Sequence, residues 1–156
     1  MTQEPKPVND SAIDDQTALV FPNDLNTYGT LFGGRVLELG DWLCCIVAKR
    51  HSGKVSVTLG LDSVRFLASA TSGDILVLKA AVNRAWNSSM EVGLKVLAED
   101  YKTKTRIHIF SAYFTFVALD ENRKPTRIPA VIPETDEQKR RFAEAEVRRQ
   151  KRFKDH

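Results

Sequence analysis

Hydrophobic and polar positions along this chain change their spacing several times, and each change marks an element. Residues 1–16 are polar, hold Pro5 and Pro7 and show no periodicity, so they are read as a mobile N-terminal tail without chemistry. Residues 17–21 form a short apolar stretch that Pro22-Asn23-Asp24 ends, the pattern of a strand running into a turn. Gly33-Gly34 then opens a run, residues 35–50, in which Val36, Leu37, Leu39, Leu43, Cys44, Ile46 and Val47 leave few polar positions. That density predicts a helix buried around most of its circumference. His51-Ser52-Gly53 supplies a basic residue and a glycine where a helix C-terminus favours them.

After Gly53 the period falls to two. Val55, Val57, Leu59 and Leu61 lie on one face of a strand, with Ser56, Thr58 and Asp62 on the other. The alternation slips at Ser63, because Val64 and Phe66 take the even positions, and a bulge or sharp bend is predicted there. Ser72-Gly73-Asp74 makes a turn, residues 75–82 a strand, residues 86–89 a hairpin tip and residues 90–98 a second alternating strand. Residues 99–104 turn again, and residues 105–119, rich in Ile, Phe, Tyr and Val, form the last long strand before the polar turn 120–124. These turns are too short for crossovers, so the strands must be mainly antiparallel.

The predicted fold class is α+β, an antiparallel sheet wrapped round one long central helix. Pro129 and Pro133 then break the chain, and residues 134–156 form a charged C-terminal helical extension whose few apolar residues include Phe142, Ala145 and Phe153. It is expected to pack only lightly. The organisation is thus a tail at 1–16, one domain at 17–133 and a charged helix at 134–156; no internal repeat suggests a solenoid.

Composition narrows the function classes. With 156 residues, 42% hydrophobic and 28% charged, the chain can bury a core without disulfides or metal. A formal charge of +3, concentrated near the C-terminus rather than interleaved with aromatics along a strand, argues against a nucleic-acid surface. The two cysteines, Cys44 and Cys45, are adjacent and cannot build a distributed disulfide framework, which implies a reducing compartment. No apolar run reaches the roughly 18 residues of a membrane span and no secretory signal is visible, so a cytoplasmic protein without membrane contact is expected.

Few residues stand out as chemistry. Asp41 sits in the middle of the apolar helix, where a carboxylate is costly unless it faces a groove, bonds a neighbouring strand or serves as a general base or nucleophile. Glu38, one turn earlier, competes from another edge of the helix. Gly33-Gly34 is either a tight turn or the open amide end of a helix, which a substrate carbonyl could approach with no side chain in the way. Asn26 is either a loop-fixing side chain or a polar group of the site. His51, His108 and His156 are scattered without ligand spacing, so no metal is expected. Ser88 lacks a nucleophile elbow, and Cys44-Cys45 has no visible activating partner.

The run Pro22-Asn23-Asp24-Leu25-Asn26, Gly29, Leu31-Phe32-Gly33-Gly34 and Asp41 resembles the acyl-CoA thioesterase (acyl-CoA hydrolase) family of the hot-dog fold. The resemblance continues through Arg50-His51, Phe66, Gly73-Asp74, Ser89-Met90-Glu91-Val92 and residues 116–121 to Lys124-Pro125, nearly everything after the tail. It implies hydrolysis of acyl-CoA to free acid and coenzyme A, with Asn26, the backbone at Gly33 and Gly34, and Asp41 at the catalytic centre. It also implies that Ser88 and Ser89 lie near the pantetheine or phosphates of coenzyme A, with Arg84 and Arg65 as accompanying cations. Two departures stand out: Trp86-Asn87 replaces a Gly followed by Arg or Lys, and Ala68-Ser69-Ala70 stands where a proline often follows Phe66.

Helix geometry adds an expectation about assembly. Gly33 and Asp41 are eight residues apart, about 12 Å along a helix axis at 1.5 Å per residue, too far to meet one thioester carbonyl. Two antiparallel helices across a twofold axis would bring Asp41 of one chain to the Gly33 end of the other. A homodimer with shared sites follows, and the resemblance implies three such dimers. No cofactor is expected, since coenzyme A is part of the substrate. The alternatives are a hot-dog hydratase or dehydratase, which usually needs a His beside a carboxylate, and a non-catalytic acyl-CoA-binding regulator.

Overall fold

In a computed structural model, residues 3–155 are described; Met1 and Thr2 of the expected tail and His156 at the other end lie outside the described residues. In chain order the elements are β1 (Lys6–Pro7), a 3-10 turn at Val8–Asp10, β2 (Ile13–Leu19), a second 3-10 turn at Pro22–Asp24, α1 (Gly33–Ser52), β3 (Val55–Phe66), β4 (Ile75–Ala85), β5 (Ser89–Glu99), β6 (Arg106–Leu119), β7 (Val131–Ile132) and α2 (Asp136–Lys154). Five strands form one antiparallel sheet in the order β2-β4-β5-β6-β3. β1 and β7 pair in parallel beside it.

One face of that sheet wraps α1. Met90, Val92 and Leu94 of β5 and Phe110, Phe114 and Phe116 of β6 alternate inward and are buried against the helix residues Val36, Leu43, Cys44 and Val47. Helix and sheet pack tightly at Gly40, where an added Cβ would lie 2.3 Å from Leu94 Cδ2, so a side chain there would force Leu94 or the helix to move. α1 stops at Gly53, whose φ of 67° suits a left-handed cap and whose amide donates to the Lys49 carbonyl at 2.8 Å. The slip at Ser63 is present as a bulge: the β3–β6 register shifts between Asp62 and Arg65, and Ser63 has φ 49°.

Two boundaries differ from the sequence expectation. Residues 6–16 are not a loose tail: β2 begins at Ile13 and pairs with β4, and Lys6 pairs with Val131 while its Nζ donates to the His51 carbonyl at 2.9 Å. The segment is held by backbone pairing and by Val8 in the core, which needs no apolar period. α2 also packs more firmly than its composition suggests. Ala145 is fully buried, and Arg148 donates to Glu91, a fully buried carboxylate on β5, while stacking 3.6 Å from the Tyr113 ring. Arginine stems and a buried ion pair replace an apolar stripe, and removing the arginine would strand a buried charge. Thr135 and Gln138 start α2 with a reciprocal capping box.

His51 joins the end of α1 to the chain after β6, its ring Nε2 lying 2.8 Å from the Pro129 carbonyl as donor. Burial pushes the imidazole below its ordinary pKa, opposed by the Pro129 carbonyl and by Asp10 and assisted by Lys6. The unfolded chain therefore takes up a proton near pH 6.5 that the folded chain refuses, so this contribution is intact above that pH and is lost as pH falls through it. Melting temperature is expected to drop between pH 7.5 and 5.5, and to drop less in His51→Gln, whose amide can still donate to Pro129. Equal slopes in the two proteins would remove His51 from the account.

The apolar residues of β3 are the exposed ones. Ser56 is buried and Thr58 turns toward α1, whereas Val55 and Val57, opposite Leu119 and Val117, are exposed on the face away from α1; the register shifts between Thr58 and Gly60, so Leu61 and Phe66, opposite Phe114 and Phe110, are exposed on the α1 side, and Leu59 at the shift is 70% exposed. Trp42 and Ile46 are exposed on α1, Trp42 being 56% exposed. β3 is also a sheet edge, so its outer backbone groups lack a strand partner among the described residues. Among the described residues, no helix is long and apolar enough to cross a membrane.

Candidate active site

The site is built where the loop before α1, the first turns of α1 and the edge strand β3 meet. Phe32 is the N-cap of α1 and contributes no side-chain hydrogen bond. Arg35 and Val36 amides return to the Phe32 carbonyl, while the amides of Gly33 and Gly34 meet no acceptor among the described residues. These two donors point out of the helix end with its partial positive charge. An open cleft of about 290 Å³ lies against Gly34, walled by Asp24, Phe32, Arg35 and Glu38. Asp24 and Glu38 both pair with Arg35, so Glu38 is held by a neighbouring cation at the cleft wall.

A side chain at either glycine would crowd a neighbouring ring. A Cβ on Gly33 would lie 3.0 Å from the Phe66 ring, and one on Gly34 would lie 2.6 Å from the Phe32 ring. Both rings are more than half exposed and can swing aside. Gly33→Val and Gly34→Val are therefore expected to lower turnover by roughly tenfold or more while costing little thermal stability, because the added bulk obstructs approach to the amides. A collapsed melting temperature with full activity in the folded remainder would make the glycines purely architectural.

Asp41 lies two turns further along α1, half-buried, and accepts a hydrogen bond from the Thr58 hydroxyl at 2.5 Å. Its second carboxylate oxygen has no partner among the described residues. Thr58 does not stand out by its own chemistry; the signal in the sequence is its place on the polar face of β3 immediately after the helix. Cys44 and Cys45 are free, and burial, with the nearby Asp41 and Cys45 adding to it, holds the Cys44 thiol well above its ordinary pKa. Cys44 is thereby kept as a packed thiol rather than a nucleophile.

Asn26 is turned into its own loop. Its side-chain oxygen accepts from the Tyr28 and Thr30 amides at 2.9 and 3.2 Å, and its Nδ2 donates to the Thr30 hydroxyl at 3.0 Å. Gly29, with φ 79°, allows that turn. One Nδ2 hydrogen remains for a ligand. α1 is straight in register from Gly33 through Asp41, so the separation of about 12 Å along the axis stands.

The candidate coenzyme residues divide. Ser89 opens β5 and accepts from Arg149 at 3.2 Å, Ser88 holds Ala118 through its carbonyl, and Arg84 donates to the Phe142 carbonyl beside Glu146. Arg65 is exposed on β3 opposite Ser111, whereas Ser89 is opposite Val117. Six residues of strand separate those positions, about 20 Å at 3.3 Å per residue, so Arg65 stands apart from the others. Of the histidines, His108 Nε2 lies 3.1 Å from the Phe110 carbonyl and His51 is buried at Pro129; neither faces Asp41.

A strongly bent antiparallel sheet enclosing one long helix, with open amides at the helix start and a carboxylate in its middle, defines the hot-dog class. The thioesterase superfamily model matches residues 28–104. The uncharacterized acyl-CoA thioester hydrolase YkhA of Bacillus subtilis is 42% identical over 123 residues, 79% of this chain and 72% of that protein. The crystal structure of an apo-hexameric acyl-CoA thioesterase superposes with a TM-score of 0.94 at 39% identity, covering 97% of each chain. The acyl-CoA hydrolase of Staphylococcus aureus, in complex with butyryl coenzyme A, coenzyme A and coenzyme A disulfide, superposes with a TM-score of 0.89 at 36% identity over 95% of this chain and 90% of that one. This chain belongs to the hot-dog-fold acyl-CoA thioesterase family.

Proposed function

We propose that this protein hydrolyses the thioester bond of acyl-CoA, releasing a free carboxylic acid and coenzyme A. The observation that carries the reading is the contact between Asp41 and Thr58, which turns a carboxylate out of an otherwise apolar helix face and leaves one oxygen open. The amide at Gly33 or Gly34 polarises the carbonyl and meets the charge that develops on its oxygen. Asp41, its orientation set by Thr58, acts as general base on water or as the nucleophile. Asn26 positions water or the acyl group through its remaining N–H. The reaction as proposed uses protein groups and water alone, with no cofactor beyond the coenzyme A carried by the substrate. The Staphylococcus aureus relative has been solved with an aspartate, an asparagine and a threonine singly replaced by alanine, the residue types of Asp41, Asn26 and Thr58.

The site is completed by a second copy. The exposed edge of β3, with Leu59, Val57 and Trp42, supports a twofold dimer in which α1 of one protomer runs antiparallel to α1 of the other. Each carbonyl then lies between the Gly33 end of one helix and Asp41 of its partner. Three such dimers form the assembly, as the hexameric relatives suggest. The free adjacent cysteines and a cytosolic rat relative at 33% identity support a cytoplasmic setting. Release of free thiol from a series of acyl-CoA chain lengths tests the activity directly. Tight binding without thiol release would favour the regulator, and hydration of an enoyl-CoA without hydrolysis would favour the hydratase.

A further inference from the structure

Four arginines gather on the sheet face opposite α1, around Trp86 and the buried Glu91. Three of them are matched by carboxylates: Arg148 by Glu91, Arg152 by Asp62 and Glu91, and Arg84 by Glu146. Arg149 is the exception, with no carboxylate within ion-pair distance among the described residues. Its guanidinium lies against two aromatic rings, 4.4 Å from the Trp86 centroid and 4.9 Å from that of Phe153. Its Nη1 donates to the Ser89 hydroxyl at 3.2 Å, and its other N–H groups meet no acceptor among the described residues.

A guanidinium packed against aromatic rings keeps its five N–H donors in one plane at its edge. Such an edge matches a phosphate better than a neutral ligand, and the fixed rings remove most of the ordering cost of a free arginine. Of the four guanidiniums in this corner, Arg149 is the one without an ion-pair partner of its own among the described residues. Burial lowers the Arg149 pKa from its ordinary value, with Glu146 opposing and Arg152 and Arg84 adding to the effect. An anion beside Arg149 would relieve that crowding. The charge of an acyl-CoA resides wholly at its nucleotide end, the part farthest from the thioester, so a site away from the α1 face is where that charge belongs.

We propose that Arg149, packed against Trp86 and Phe153 and linked to Ser89, binds a phosphate of the nucleotide portion of acyl-CoA. The proposal rests on the hydrolase reading for its ligand, although the site itself can be read without turnover. Arg149 is thus a specificity-determining residue: it separates coenzyme A thioesters from the same acyl group on a carrier without phosphates.

The full-length protein is assayed with one acyl group presented on coenzyme A and on N-acetylcysteamine, which lacks the nucleotide. In Arg149→Gln the KM for the CoA thioester is expected to rise about tenfold with kcat unchanged, the size of one lost charge-assisted hydrogen bond, while the N-acetylcysteamine thioester is unaffected. Adenosine 3′,5′-bisphosphate, titrated calorimetrically, should bind wild type and bind the variant about tenfold more weakly. An unchanged KM for the CoA thioester, or equal losses on both substrates, overturns the assignment. If Arg149→Gln does not fold, Arg149→Met keeps the aliphatic stem without the charge, and a wild-type KM there overturns it equally. Should wild type release no thiol yet bind the bisphosphate through Arg149, the hydrolase reading fails and the anion site stands. Should thiol release proceed with the same KM whatever residue occupies position 149, the anion site fails and the hydrolase reading stands.

Discussion

Asp41→Asn is expected to lower acyl-CoA hydrolysis by at least about a hundredfold, the typical contribution of a general base or nucleophile. The substitution is conservative in shape, and the Thr58 hydroxyl can still donate to the new amide oxygen, so the helix and its neighbour should keep their places. Melting temperature should therefore change little, which separates loss of chemistry from loss of fold. Thr58→Ala provides a graded companion, since it removes the group that orients the carboxylate and leaves the carboxylate itself. Near-normal turnover in a well-folded Asp41→Asn protein would remove the catalytic role and leave the carboxylate as a partner for Thr58 alone.

Mixing two dead variants should restore activity. If each site draws Asn26 and Gly33 from one protomer and Asp41 from the other, then Asn26→Ala and Asp41→Ala proteins are each nearly inactive, while a mixed dimer has one site with both lesions and one with neither. Unfolding and co-refolding equal amounts makes half of the dimers mixed under random pairing, and half of their sites intact. Roughly a quarter of wild-type activity should return. Asn26 also ties its own loop through Tyr28 and Thr30, so Asn26→Ala can loosen residues 26–30 as well as remove a polar group. That lesion still travels with one chain, and the count is unchanged. Mixed dimers that are present by mass yet as inactive as their parents would place both residues in a site within one chain.

Most of the sheet is legible in the sequence because its strands obey simple periods. The slip at Ser63 is visible as a change of parity in β3, and the helix as a dense apolar run closed by Gly53. The start of β2 is hidden because Asp14, Asp15 and Gln16 are exposed on an edge strand, where backbone pairing rather than burial sets the register. The firm seating of α2 is hidden too, because its anchors are Arg148 and Arg152, residues that sequence alone cannot match to Glu91 and Asp62 across 57 and 90 positions. The family motif points to Asp41 and the glycines, but only the fold shows that Thr58 meets Asp41 and that Arg65 is far from Ser89. Contacts between distant segments have no local pattern to announce them.

Gly40 precedes Asp41 by one residue and touches Leu94 where a side chain would have to stand. A helix is stiff, so a point of tight packing acts as its seat, and the thickness of that seat sets the height of everything beside it. A single methyl group at position 40 must displace the Leu94 side chain or the helix, and to the extent that the helix gives, the carboxylate next door moves with it, as a beam moves on a shim. The position of the Asp41 carboxylate is thus set in part by a lone hydrogen atom at residue 40, and variation at this buried position can shift Asp41 while leaving its identity unchanged.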